Sequence, residues 1–448
     1  MVYESTFSRS FRKEELRKLG CAAFSFAFSW DLAFTRFPTN PSNITSYLSN
    51  QGHVHEQFFQ FKEHVSNSNI EIAKSIYNLS NSKSDVFEIT GDIRIHGNSS
   101  TIFIASHLEG ELNSWTTKPY ARKGDNYGME YVRTWKINNV AENLPDCSQH
   151  SSIPAIVFST GGYCGNHFHD FTDMLIPLFL TARQFHGTVL FLIADKRSSW
   201  IAKYRMVLEK LSKYDIVEIE KENQVLCFVR VIVGLKAHKE FGINPLESPH
   251  YSMAEFRQFL RSTYSLGRES VIDCRPRCRT RPRMLIISRK QNRFITNENE
   301  VANLARSMGF DVVVEETESN MPTAAKLVNT FDVLMGVHGA GLTNMVFLPE
   351  NAVVIQIIPF GAELWAKPYF QLPAEDMKLR YLEYKVSLNE SSLLGKYPVD
   401  SEVYRDPNAI YKKGFIGFHS VYLSNQNVTL NFRRFRKTVL KVMEIIQH

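Results

Sequence analysis

Several things are scarce in this chain of 448 residues, and each scarcity removes a class of protein. There is no long, uncharged apolar run. The best candidate, Leu19 to Trp30, is cut short by Asp31, whereas a membrane-spanning helix needs about 20 apolar residues. Cysteines number only six, at 21, 147, 164, 227, 274 and 278, too sparse for a disulfide-dense scaffold. Cys274 and Cys278 lack the second Cys or His pair that would complete a zinc site. No repeat of solenoid period and no long low-complexity tract occurs. Charge of one sign is in mild excess: 52 Lys and Arg against 46 Asp and Glu leave +6, too little to indicate a nucleic-acid binder. No G-x-S-x-G nucleophile turn is present, which weighs against a hydrolase. No Asp-x-Asp pair stands beside the candidate phosphate sites described below, which weighs against a bound divalent metal.

What remains is globular composition, 44% hydrophobic and 22% charged, in a chain long enough for two domains. Arg12, Lys13, Arg17 and Lys18 precede the Leu19–Trp30 stretch, the flank of a worn signal anchor with its positive side in the cytoplasm. Residues 1–34 are therefore read as tail and anchor, and 35–84, rich in Asn, Ser, His and Gln, as a stem. Asn-x-Ser/Thr at Asn43, Asn78, Asn98, Asn389 and Asn427 permits a luminal address.

From Asp85 to Ala105, apolar and polar residues alternate as in paired strands. From Ile153 onward strands and helices take turns. Strands are expected at 154–159, 189–194 and 216–219, with a hairpin or strand pair at 225–235. Helices are expected at 166–183, 200–214 and 253–266. The arginine-rich stretch 268–283, held out of helix by Pro276 and Pro282, reads as a linker. A second series follows, with strands at 284–288, 311–314 and 352–358 and helices at 297–308 and 322–330. The chain ends in an amphipathic helix over 430–446. Alternation of this kind predicts parallel sheets covered by helices.

Three junctions stand at the ends of expected strands, where open α/β sheets bind ligands. The first, Gly161 to Asp173, sets His167, His169, Asp170 and Asp173 at the start of a helix, groups able to accept a proton from a hydroxyl. The second, Ser288 to Arg293, offers Arg289, Lys290 and Arg293 to an anion such as a diphosphate. The third, Phe331 to Leu348, carries His338-Gly-Ala-Gly341 followed by Thr343 and Asn344. Backbone N–H groups left free at such a turn hold anions. Taken singly, each also has a plain structural reading: a helix-dipole pair, a solvated basic loop, or a softened turn.

Together these motifs resemble plant members of glycosyltransferase family 61, the xylan arabinosyl- and xylosyltransferases. The resemblance rests on G-D-I-R-I-H-G (91–97), K-P-Y-A-R-K-G-D (118–125), V-F-S-T-G-G-Y (157–163) and N-H-F-H-D-F-T-D (166–173). It continues through L-I-I-S-R (285–289), G-V-H-G-A-G-L-T-N-M-V-F-L-P (336–349), P-F-G (359–361), D-M-K-L-R-Y-L-E-Y (376–384) and Y-P (397–398).

The resemblance implies a GT-B fold, two Rossmann-like domains facing a cleft. Residues 85–270 would form the acceptor-side domain and 271–448 the nucleotide-sugar domain, with the final helix packing back on the first. It implies a single-pass type II Golgi membrane protein that moves a pentose, arabinofuranose or xylose, with inversion, from a UDP-sugar to a xylan backbone or side chain, with no divalent metal clearly required. Asp170 would be the base, with His169 beside it. Gly162, Asn166, Arg289, Lys290, Arg293, His338, Gly339, Ala340, Gly341, Asn344 and Glu363 would bind the substrates. A non-catalytic xylan-binding relative, or a transferase for N-glycans or another wall glycan, is the alternative. Phe87 stands where the family pattern has a cysteine, so Cys147 is expected to lose its partner or take another.

Overall fold

A computed structural model describes residues 75–105, 114–140, 143–271, 281–316 and 320–447. The expected anchor, most of the stem, and Cys274 and Cys278 lie outside the described residues. Among the described residues no helix is long and apolar enough to cross a membrane.

The first ten strands form one sheet: β1 Ser75–Asn78, β2 Phe87–His96, β3 Thr101–Ala105, β4 Ser114–Thr117, β5 Trp135–Val140, β6 Gln149–Ser151, β7 Ala155–Ser159, β8 Leu190–Ala194, β9 Val217–Glu218 and β10 Val225–Val233. Its order is β4-β5-β3-β2-β10-β7-β8-β9, with β1 on β2 and β6 on β10. Strands β10, β7, β8 and β9 are mutually parallel, whereas β2 runs antiparallel to β10. The sheet is thus parallel only in part. Two expectations change here. The 225–235 segment is one nine-residue strand rather than a hairpin, because it pairs β2 on one side and β6 and β7 on the other. The end of the supposed stem, 75–78, belongs to the sheet, paired with 87–90 of β2.

A second sheet holds β11 Arg283–Ile287, β12 Asp311–Glu315, β13 Val333–Val337, β14 Val353–Ile358 and β15 Arg380–Lys385. All its pairings are parallel, in the order β12-β11-β13-β14-β15. Such an order reverses direction between β11 and β13, and in doubly wound sheets the crevice at that reversal takes the ligand. β13 and β14 are buried along their whole length, in keeping with sequences that are apolar but for Gln356.

The helices used below are α1 Asn126–Glu130, α2 spanning 167–182, α3 Ser198–Leu211, α4 Met253–Tyr264, α5 Glu298–Ser307, α6 Met321–Val328 and α7 Phe432–Gln447. The final helix, α7, does not return to the first sheet. Phe435, Val439 and Val442 are fully buried among Met284, Val333 and Ile355 of the second. Burial of each such side chain is worth roughly 1.5–3 kcal/mol, enough to hold α7 there. One buried cluster joins the sheets, running from Ile156 and Phe158 to Leu285 and Leu334. Arg257 on α4 reinforces the junction by donating to the carbonyls of Val346, Leu348 and Met377.

Cys147 takes Cys227 of β10 as its partner in a disulfide. Cys164 is the free cysteine among the described residues, and it is buried.

Candidate functional site

The site on the first sheet is built by α2, which begins just past β7. Asn166 caps it, its side chain accepting from the Phe168 N–H at 3.0 Å. The expected continuous α-helix is interrupted: Asp170–Leu175 form a π turn between α-helical segments His167–His169 and Ile176–Ala182. Pro177 has no N–H for the carbonyl four residues back, at Asp173, and widening the helix accommodates that gap. The turn sends two acidic side chains in different directions.

Asp170 points inward and is fully buried. One carboxylate oxygen accepts from the Gly165 N–H at 2.8 Å; the other accepts from Tyr204 Oη at 2.8 Å and Lys203 Nζ at 3.3 Å. Burial raises its pKa, against the opposing pull of Lys203. His167 shares those partners, with Nδ1 3.2 Å from Tyr204 Oη. Lys203 can only donate to Nδ1, so Nε2 carries the proton that reaches Asn344 Oδ1 at 3.3 Å. Burial pushes the His167 pKa down to about 3, and Lys203 adds to the shift.

Asp173 faces the other way. Its Oδ2 accepts from Arg122 Nε at 2.8 Å and Tyr120 Oη at 2.9 Å, and lies 2.9 Å from His169 Nδ1. Burial alone would raise its pKa, but His169 and Arg122 outweigh burial and hold it below the usual carboxylate range. An ionised Asp173 accepts the Nδ1 proton and leaves Nε2 as the basic nitrogen of His169. Arg122 is anchored in turn by Glu240 at 3.0 Å.

The second half of the site lies at the β11/β13 reversal. Gly339 lies just past β13 and leads into a 3₁₀ helix, Ala340–Phe347. The His338 ring is buried against Phe370. Tyr381 Oη donates to Gln356 Oε1 at 2.7 Å, and Gln356 Nε2 donates to His338 Nδ1 at 2.7 Å. His338 Nε2 is therefore an N–H donor. Burial, with Arg293 and Arg289 nearby, pushes the His338 pKa down to about 3, so the ring is neutral at physiological pH.

Arg289 is braced by the Asn292 carbonyl and side chain, each at 2.9 Å. Arg293 Nη1 donates to the His338 carbonyl at 2.9 Å, while its buried Nε has no partner. Among the described residues no carboxylate forms an ion pair with either guanidinium. Burial and Arg289 push the Arg293 pKa down to about 9. Gly339 is required at this corner: a Cβ there would lie 2.8 Å from Arg289 Nη1, and φ is +153°.

The family model described as Glycosyltransferase 61 matches residues 152–355, which contain His167, His169, Asp170, Asp173, Arg289, Arg293 and His338 but not Tyr120, Arg122, Gln356 or Tyr381. The beta-1,2-xylosyltransferase XYXT1 of Oryza sativa subsp. japonica is 38% identical over 385 residues, covering 82% of this chain and 83% of its own length. The chain belongs to glycosyltransferase family 61. It is also 43% identical over 379 residues to the alpha-1,3-arabinosyltransferase XAT3 of the same plant, covering 83% of this chain but only 65% of that relative. The solved glycosyltransferase TibC from enterotoxigenic E. coli H10407 aligns at 12% identity over 66% of this chain and 80% of its own, with a TM-score of 0.25. So low a score carries no argument.

Within this family 61 chain, the residues singled out from sequence divide. Arg289, Arg293, His338, Gly339, Ala340 and Gly341 lie at one corner of the second sheet. Asn344 is drawn into the bond with His167. Lys290 turns away, its side chain 75% exposed and 2.9 Å from Glu316, so its charge is already matched. Glu363 is exposed at the start of a short helix after β14, on the same sheet edge. Gly162, at φ +56°, has a structural reason: a Cβ there would lie 2.5 Å from the Tyr120 ring that supports Asp173.

The two halves approach through Phe168. Its ring centroid is 5.2 Å from Tyr369 and 5.8 Å from Phe370, and both rings also border His338. Sequence reasoning missed Tyr120, Arg122, Lys203, Tyr204, Gln356 and Tyr381 as supports. The first two lie inside the K-P-Y-A-R-K-G-D motif, a signal that was available. Among the described residues the one cluster with metal-ligand spacing is Cys147, His150 and Cys227, and two of its members share the disulfide.

Proposed function

We propose that this chain is a GT-B transferase that moves a pentose from a UDP-sugar to xylan with inversion at the anomeric carbon. The observation that carries this reading is the pair of half-buried guanidiniums, Arg289 and Arg293, beside a neutral His338, at the point where a parallel sheet binds ligands. A diphosphate supplies the negative charge that this cation-rich corner matches, and a single metal-free site of this kind can stabilise its departure. The donors are Arg289 Nη1, the Arg293 guanidinium, His338 Nε2 and the first N–H groups of the 3₁₀ helix. The names of the rice relatives support pentoses as the transferred sugars and xylan as the acceptor.

Across the site, His169 is the general base. Its Nε2 takes the proton of the acceptor hydroxyl as that oxygen bonds to the anomeric carbon and the bond to UDP breaks. Asp173 orients the ring and stabilises the imidazolium that forms. Asp170, the base expected from sequence, has both carboxylate oxygens engaged and no exposure. Its part is to hold Tyr204 and Lys203 under α2.

A Golgi lumenal setting fits the disulfide Cys147–Cys227, which persists where the environment oxidises, and the exposed sequons at Asn78, Asn98 and Asn389. The test is incubation of the purified protein with UDP-pentoses and xylo-oligosaccharides, followed by linkage analysis. His169→Ala should lower kcat by about 10²- to 10⁴-fold with UDP affinity unchanged. Undiminished turnover in that variant would remove His169 from the role.

A further inference from the structure

We propose that Tyr163, Tyr127 and Tyr131 form a stacking platform for the neutral sugar chain of the acceptor, starting at His169 and running outward over α1. The proposal rests on the reading of His169 as the base. The rings are consecutive. Tyr163 lies 4.4 Å from the His169 ring, Tyr127 stacks on Tyr163 at 6.2 Å and 27°, and Tyr131 meets Tyr127 at 5.7 Å.

The row is built rather than incidental. The five-residue helix α1 buries only Gly128, too little to stabilise it by core packing. It is held instead by Asp125, whose carboxylate accepts from the Gly128 N–H at 3.0 Å and from Tyr163 Oη at 3.0 Å. Gly128 permits the approach, since a Cβ there would lie 2.7 Å from the Tyr163 ring. The outcome is that Tyr127 and Tyr131 stand 52% and 53% exposed, side by side. A lone exposed aromatic needs no explanation; a contiguous row beginning at the candidate base does.

The charges around the row identify its occupant. Arg122 is matched by Asp173 and Glu240, and Arg133 by Glu220 at 2.8 Å. Asp125 lies 4.0 Å from Arg122, and Lys118 and Glu130 add one charge of each sign. The surface therefore favours neither a polyanion nor a polycation. It suits a sugar chain, whose C–H faces rest on aromatic rings while its hydroxyls reach polar groups at the rim, here Asp125. Continuity with His169 would deliver an acceptor hydroxyl to Nε2.

The test measures xylo-oligosaccharide affinity by calorimetry without donor, together with acceptor and donor KM. Tyr127→Ala and Tyr131→Ala should each weaken acceptor binding by roughly three- to tenfold, the equivalent of about 0.5–1.5 kcal/mol per aromatic contact, with donor KM unchanged. The loss should grow with acceptor length. Tyr127→Phe, which keeps the ring, should bind like the parent. Unchanged acceptor affinity in the double alanine variant overturns the proposal. So does a Tyr127→Phe variant as weak as Tyr127→Ala, a parent protein that binds no xylo-oligosaccharide, or variants that alter only self-association. An active His169→Ala variant combined with weakened binding in the tyrosine variants would refute the base and leave the platform standing.

Discussion

The edges of the two sheets handle charge in opposite ways. Past β7, charged groups come in matched sets: Asp170 with Lys203, and Asp173 with Arg122 and His169. Past β11 and β13, Arg289 and Arg293 are half-buried together, and among the described residues neither forms an ion pair with an acid. A matched network fixes geometry, as a base must be fixed if its nitrogen is to meet a hydroxyl. Burial and the neighbouring Arg289 push the Arg293 pKa down to about 9, and cations so placed destabilise the fold. A protein retains such strain where a ligand of opposite charge is to be held. On the proposed reading, one edge moves a proton and the other holds an anion.

The sharpest way to break this comparison is within the matched edge. Asp173→Asn should lower kcat by about a hundredfold, because the amide no longer fixes the His169 tautomer, while both KM values stay near those of the parent. Asp170→Asn should instead lower the thermal midpoint and leave kcat of the folded protein within a few-fold. Steady-state kinetics paired with calorimetry decides the matter; the reverse outcome exchanges the two roles.

On the unmatched edge, Arg293→Met should weaken UDP binding by about 2 kcal/mol, near thirtyfold, the scale of a hydrogen bond to a charged group. The same change should raise thermal stability, since it removes an uncompensated buried cation. Lys290→Met is the comparator, and titration calorimetry should find its UDP affinity nearly unchanged. A smaller effect follows from Gly339→Ala, whose methyl displaces Arg289. About 1 kcal/mol, or fivefold in UDP affinity, is expected. If Lys290→Met matches Arg293→Met, the anion lies on the outer side of the loop.

The legible part of this molecule was the part written locally. β11, β13 and β14 are almost wholly apolar, and a glycine turn directly after β13 marks His338. Arg289 and Arg293 follow their strand within a few residues, so topology alone brings them to the reversal. What sequence did not reveal depends on distant partners or on local geometry. Asp170 and Asp173 are the same residue type three positions apart, and only the π turn sends one to Lys203 and the other to Arg122. Gln356 reads as one polar residue inside a buried strand. Its role appears only once β14 is paired between β13 and β15, bringing it between His338 and Tyr381. The final helix shows its apolar face in the sequence, yet nothing in that face states which sheet it covers.

The mildest prediction concerns acid, and it contrasts the same two carboxylates. Asp173 is held below its ordinary pKa in the folded chain, so it contributes stability that is present above the unfolded value of about 4 and is lost as pH falls through the folded value. Asp170 is raised, so its sign is reversed: keeping it ionised costs stability at higher pH, and that cost is relieved as pH falls through its folded value. Thermal midpoints recorded from neutral pH downward should therefore fall less steeply in Asp173→Asn than in the parent. In Asp170→Asn they should fall at least as steeply, because a group that protonates favourably in acid has been removed. Parallel acid limbs in all three proteins would mean that the pairing seen at Asp173 and the burial seen at Asp170 have no thermodynamic consequence, and the contrast between the two faces of α2 would reduce to geometry alone.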